Sequence, residues 1–239
     1  MRPAAILLDL DDTILSSLGG QREAWSQVLA TFDGRFGDHP HETVHAGILE
    51  ASRSLWDDAD SHRHWRQDIR AARREVVRRA FAALALDDMT LCHELADTFS
   101  DHRDEAMCPF PGAIDALEAL RARGIPLGLV TNGGAAAQRA KIERFDLARH
   151  FDHILVEGEF GRGKPEPEVF HHLMACFGTT PDTTWVVGDN LDWEIVAPQK
   201  LGMFAIWCDA HRRGLPEGCG VVPDRIVHEL SELLEGMDP

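Results

Sequence analysis

Asp9 and Asp11 stand two residues apart in the segment Asp-Leu-Asp-Asp-Thr (9–13), directly after the apolar run 4–8. A near-extended backbone turns side chains at i and i+2 to the same side, so both carboxylates are expected to face one cleft. Two carboxylates held close, with a metal between or beside them, can divide nucleophilic and acid/base work. Asp-x-Asp also opens calcium loops, but Ile14 stands where such a loop needs its sharp-turn glycine, and Gly20 where it needs its bidentate Glu. A second group is Val130-Thr131-Asn132-Gly133-Gly134, followed by Ala135, Ala136 and Ala137 opening a helix. The Thr131 hydroxyl, the amides around Asn132 and Gly133, and the positive end of that helix are what a phosphoryl oxygen requires, although Asn-Gly in isolation is commonly a plain turn.

The third group is Gly161-Arg162-Gly163-Lys164-Pro165-Glu166-Pro167, in which Lys164 is one of only three lysines in the chain. Residues 158–164 satisfy GxxxxGK, yet Pro165 stands where a nucleotide loop needs the Ser/Thr that holds magnesium. Lys164 therefore reads as a point charge that neutralises phosphate and the carboxylate pair. In the fourth group, Val186-Val187-Gly188-Asp189-Asn190-Leu191-Asp192-Trp193-Glu194, Asp189 is the natural further magnesium ligand. Asp192 and Glu194 fit either a role beside the metal or a helix start favoured by the dipole.

These groups need elements that bring them to one edge. The runs 4–9, 126–131, 153–156, 184–187 and 203–207 are continuously apolar and alternate with helix-like stretches, which predicts a doubly wound parallel α/β sheet, with 221–227 as a further edge strand. Residues 18–107 lack such runs and read as helical throughout, an insertion after the first strand. Its clearest element is predicted to start at Asp60 or Ser61 and to carry a stripe of Trp65, Ile69, Ala72, Val76, Ala80 and Leu84. Arg63, Arg66, Arg70, Arg73, Arg74, Arg78 and Arg79 crowd the same stretch and are expected to form mainly a solvated face. Residues 113–123 resume a helix that Gly124 ends.

A net charge of −16 argues against a nucleic-acid backbone as partner, because that binding needs a basic face. No apolar run approaches the length of a membrane span or signal core, which makes the expected location cytoplasmic. The five cysteines are scattered and form no CxxC pair, so reduced thiols are expected rather than disulfides or a zinc site.

The order Asp9, Thr131, Lys164, Asp189 along successive strand ends resembles the four-motif pattern of the haloacid dehalogenase superfamily, and the resemblance extends over nearly the whole chain. It implies a Rossmannoid α/β core of residues 1–17 and 108–239, with residues 18–107 similar to the type-one helical cap. It further implies a Mg²⁺-dependent phosphatase acting on a small phosphorylated metabolite through an aspartyl-phosphate. Asp9 would attack phosphorus, and Asp11 would protonate the leaving oxygen and then activate water. Thr131, Asn132, Gly133 and Lys164 would hold the phosphoryl group, and Asp9, the Asp11 carbonyl and Asp189 would hold the metal. The usual last acid of the fourth motif falls on Glu194, with Asp192 two residues earlier, and the choice between them stays open. The same core would serve a phosphomutase or a metal-free dehalogenase. A phospho-accepting signalling protein also uses Asp, Thr and Lys, but in a different order, and a non-catalytic phosphate binder is a further rival. Monomer and homodimer are equally compatible.

Overall fold

Four residues in the first strand, Ala5 to Leu8, have no exposed surface at all. A strand so covered must lie inside a sheet, and full burial of each Leu or Ile side chain is favourable by roughly 1.5–3 kcal/mol. A computed structural model, which describes residues 2–17 and 20–235, places it there. In chain order the strands are β1 (Ala5–Leu8), β2 (Leu15–Ser17), β3 (Met107–Pro109), β4 (Leu127–Thr131), β5 (His153–Val156), β6 (Thr184–Gly188), β7 (Phe204–Cys208) and β8 (Arg225–Val227). Six of them form one sheet in the order β5-β4-β1-β6-β7-β8, parallel at every pairing.

The chain leaves β1 toward β4 and β5, then returns to the other side of β1 for β6, β7 and β8. Right-handed crossovers put the helices of the two halves on opposite faces, so the sheet is doubly wound as predicted. The topological switch falls at β1. Registers Leu8↔Leu129 and Leu8↔Val187 bring the carboxyl ends of β4, β1 and β6 level, and Asp9 N–H continues the ladder onto Val187 O at 2.9 Å.

The chain divides into two compact units, Met1–Ser16 with Cys108–Pro239, and Ser17–Met107. The domain boundary expected at 17/18 abuts Leu18 and Gly19, which lie outside the described residues. β2 and β3, absent from the sequence-based expectation, form a two-stranded sheet where the chain leaves and rejoins the first unit.

The second unit is helical: Gln21–Ala30, His41–Trp56, Ala59–Trp65, Ile69–Ala83 and Met89–Glu105. Trp25, Leu29, Val44, Ile48, Leu55, Val77, Phe81, Leu95 and Phe99 are among its buried core. The single helix predicted from Asp60 is in fact two. Asp68 breaks it by accepting from Ala71 N–H at 3.0 Å, a side-chain cap that starts a new helix. Of the stripe, Ala72, Val76 and Ala80 are buried, and Val77 and Phe81 widen it. Several of the arginines pair within the unit: Arg70 with Asp101 and Asp104, Arg74 with Asp97, Arg78 and Arg79 with Glu75. No helix among the described residues is long and apolar enough to cross a membrane.

Candidate active site

Beyond β1 the backbone turns sharply. Ile14 N–H and Leu15 N–H both donate to Leu10 O, at 3.0 and 2.9 Å, and Asp12 adopts a left-handed φ of 57°. Asp9 is thereby left at the strand end, 7% exposed, with the Thr13 hydroxyl 3.4 Å from its Oδ2. Thr131 ends β4, buried on the neighbouring strand, and Asp189 follows β6 on the other side. The sheet therefore brings Asp9, Thr131 and Asp189 to one edge.

Lys164 arrives from a loop and is wholly buried. Its ammonium donates to Asp9 Oδ1 and lies 2.7 Å from Glu194 Oε1. The backbone at Lys164 is fixed by the Asn132 side chain, which donates from Nδ2 to Lys164 O at 2.7 Å and accepts Lys164 N–H on Oδ1 at 2.8 Å. The expectation at Asn132 concerned its backbone amide; its side chain is engaged in aligning Lys164. The Gly133 N–H, expected in the same cradle, donates to the buried Glu157 at 2.9 Å. Gly163 is needed at this crossing, because a Cβ there would sit 2.5 Å from Glu157 Cδ and 2.6 Å from Asn132 Oδ1.

Geometry separates the two acids of the fourth group. Asp192 is exposed, whereas Glu194 is 1% exposed, takes Asn190 N–H on Oε2 at 2.9 Å and faces Lys164. Two features let it reach back. Residues Leu191–Val196 form a π-helical turn in which Ala197 N–H bonds to Asp192 O, and Gly188 leaves room where a Cβ would lie 2.1 Å from Glu194 Cγ. Trp207 Nε1–H donates to Asp189 O at 2.7 Å, fixing that backbone from β7.

Three carboxylates thus crowd one ammonium. Burial would pull the Lys164 ammonium toward neutrality, but Asp9 and Glu194 more than reverse this and it stays charged. Asp9 is raised by burial, Lys164 pulling it back and the Asp11 charge adding to the rise. Burial pushes Asp189 up to about 8, helped by the charges of Asp9, Glu194 and Asp12. Glu194 rises to about 7 through burial, against the pull of Lys164. The cluster is one cation short.

Asp11 belongs to a different network. Its oxygens lie 2.8 and 2.7 Å from Lys141 Nζ, and Gln138 Nε2 donates to Oδ2 at 3.0 Å and also to Asn132 O. Burial would raise this carboxyl, but the Lys141 charge and the bonds from Lys141 and Gln138 hold it below its ordinary value. Neither residue was singled out from sequence. The available signals were that Lys141 is another of the three lysines, and that 138 and 141 share a face of the helix Ala135–Arg144.

No group of three or more His, Cys, Asp or Glu side chains forms a ready-made metal cage among the described residues. Magnesium does not need one, since it is commonly held by one or two carboxylates, with waters and phosphate oxygens completing an octahedron. The hard oxygens of Asp9 and Asp189, and the unmet negative charge around them, fit such an ion.

An acidic strand-end cluster with a buried lysine lies at the switch point of a doubly wound sheet, where open α/β sheets bind their ligands. The chain belongs to the haloacid dehalogenase-like hydrolase family, whose model matches residues 3–202. It is 32% identical over 250 residues to a phosphoserine phosphatase of Thermus thermophilus, covering 95% of this chain and 96% of that one. A glyceraldehyde 3-phosphate phosphatase of Methanopyrus kandleri is 26% identical, with 97% and 95% covered. Among solved structures, a 2-haloacid dehalogenase of Pseudomonas syringae superposes with a TM-score of 0.62 at 29% identity, covering 98% of this chain and 96% of that one.

Proposed function

We propose that the protein is a magnesium-dependent phosphatase of small soluble phosphomonoesters that works through an aspartyl-phosphate on Asp9, with residues 18–107 serving as a cap. The observation that carries this reading is the buried Lys164 between Asp9 and Glu194, in a cluster that still lacks positive charge. An incoming phosphoryl group needs such neutralisation, because phosphoryl transfer gains mainly from positioning and charge stabilisation.

In the first step Asp9 attacks phosphorus as the ester P–O bond breaks, and Asp11, entering the step as the carboxylic acid, passes its proton to the departing oxygen and is left as the carboxylate. In the second, Asp11 takes a proton from water, which attacks the phosphoaspartate, releases inorganic phosphate and regenerates Asp9. Thr131 and Lys164 hold the phosphoryl oxygens. Magnesium would be held by Asp9, Asp189 and the Asp11 carbonyl, the Asp11 carboxylate being taken by Lys141 and Gln138, and would supply charge neutralisation at the phosphoryl group.

Phosphate release should be measured over phosphorylated metabolites and p-nitrophenyl phosphate, with magnesium or with EDTA. Halide release from 2-chloropropionate should be followed in parallel, because of the dehalogenase likeness. The expected outcome is phosphate release that EDTA abolishes and no halide; metal-independent halide release with no phosphate would overturn the proposal.

A second expectation concerns the metal and pH. Asp189 and Glu194 titrate near 8 and 7 in the folded, metal-free protein, against 3.8 and 4.5 as unperturbed groups. A carboxyl raised on folding leaves stability intact below its unfolded value and removes it as pH climbs to the folded one. Metal-free stability should therefore fall between about pH 4 and pH 8. Bound at Asp9 and Asp189, magnesium would relieve that repulsion, so its effect on Tm should be larger at pH 8 than at pH 6. Melting curves with and without magnesium test this, and a shift independent of pH would count against a metal at Asp189.

A further inference from the structure

We propose that Lys141, assisted by Gln138, is a positioning residue that holds the Asp11 carboxylate with a single acceptor site on Oδ1 left free for proton exchange. This rests on the phosphatase reading given above and extends it to residues outside the four motifs.

A carboxylate offers about four acceptor sites, two on each oxygen. Lys141 Nζ approaches Oδ1 at 2.8 Å and Oδ2 at 2.7 Å, and Gln138 Nε2 takes a further site on Oδ2 at 3.0 Å. Three of the four are filled, and the remaining one is on Oδ1. The side chain is nevertheless 40% exposed.

The grip is also braced. Gln138 is buried and donates to the Asn132 backbone oxygen as well as to Asp11, which ties the grip to the strand end that orients Lys164. Lys141 lies one helical turn on and is only 23% exposed at its side chain. An ion pair this open to solvent adds little to folding. Its effect is therefore expected on the chemistry of Asp11, whose carboxyl would otherwise rotate about two side-chain torsions.

The test compares wild type, Asp11→Asn, Lys141→Met, Lys141→Arg and the double variant Asp11→Asn/Lys141→Met. The probes are p-nitrophenyl phosphate, whose leaving group departs without a proton, and the best alkyl phosphomonoester of the panel, whose leaving group needs one. For the alkyl ester, Lys141→Met should lower kcat/KM by about 10-fold to 100-fold, with KM little changed. For p-nitrophenyl phosphate kcat/KM should fall by no more than about 3-fold, because that parameter reports only the steps up to leaving-group departure. Lys141→Arg, which also presents paired donors to a carboxylate, should recover most of the loss. The double variant should be no slower than Asp11→Asn alone, as befits residues acting through one group.

Equal losses on both probes, or losses that multiply in the double variant, would overturn the proposal. If wild type releases no phosphate from any ester, the phosphatase reading fails on its own. The positioning claim is then decided by a crystal structure of Lys141→Met: an Asp11 carboxylate turned away from its wild-type orientation supports it, and an unmoved one overturns it.

Discussion

Asp9→Asn should lose about 10⁴-fold or more in phosphate release while folding normally. Asparagine keeps the size of the side chain but carries no charge and no nucleophilic oxygen able to form the phosphoaspartate. The packing at the end of β1 is unaffected, and one of three crowded carboxylates is removed, so the metal-free Tm should hold or rise. No nearby thiol can take over, because burial first, with the Asp189 charge adding, pushes Cys208 up to about 12. Turnover within a few-fold of wild type, measured by phosphate release after removal of trace wild-type enzyme, would place the nucleophile elsewhere.

Lys164→Met should cost both activity and stability. The substitution strands Asp9 and Glu194 in a buried site with no ammonium between them. Breaking a buried pair from one side typically costs about 3–5 kcal/mol, because the remaining charge is left uncompensated. The sign of the pH dependence follows. Without Lys164 both carboxyls titrate higher still, so the penalty is full above their folded values and vanishes as pH falls and they protonate. Urea unfolding of metal-free protein should show a large loss at pH 8 that narrows by pH 5.5. An equal loss at both values would mean that Lys164 fills space rather than balancing charge.

Much of the sheet and of the site edge was legible because a strand buried on both faces writes itself as an unbroken apolar run. The runs ending at Asp9, Thr131 and the Gly188-Asp189 pair became β1, β4 and β6, whose adjacency puts those residues together. What stayed hidden was set by contacts distant in sequence or by local caps that leave no periodicity. Lys141 meets Asp11 across 130 residues, and nothing in either neighbourhood advertises the other. Asn132 was legible as a strand-end polar residue, but its task of clasping Lys164 depends on a loop 32 residues on. The break at Asp68 was masked by an apolar stripe that continues in phase through two helices. The competition between Asp192 and Glu194 could not be settled from spacing because the spacing itself is unusual there.

That unusual spacing has its own meaning. A π turn is an α turn holding one surplus residue, the form a helix takes when it absorbs a single insertion without rewinding the remainder. Losing one residue from Leu191 to Trp193 would close the turn and swing the acid by about 100° away from Lys164. The partner of the lysine is therefore specified by the length of the chain between β6 and that acid as much as by the acid's identity. A change of length, not of letter, would be enough to uncouple it.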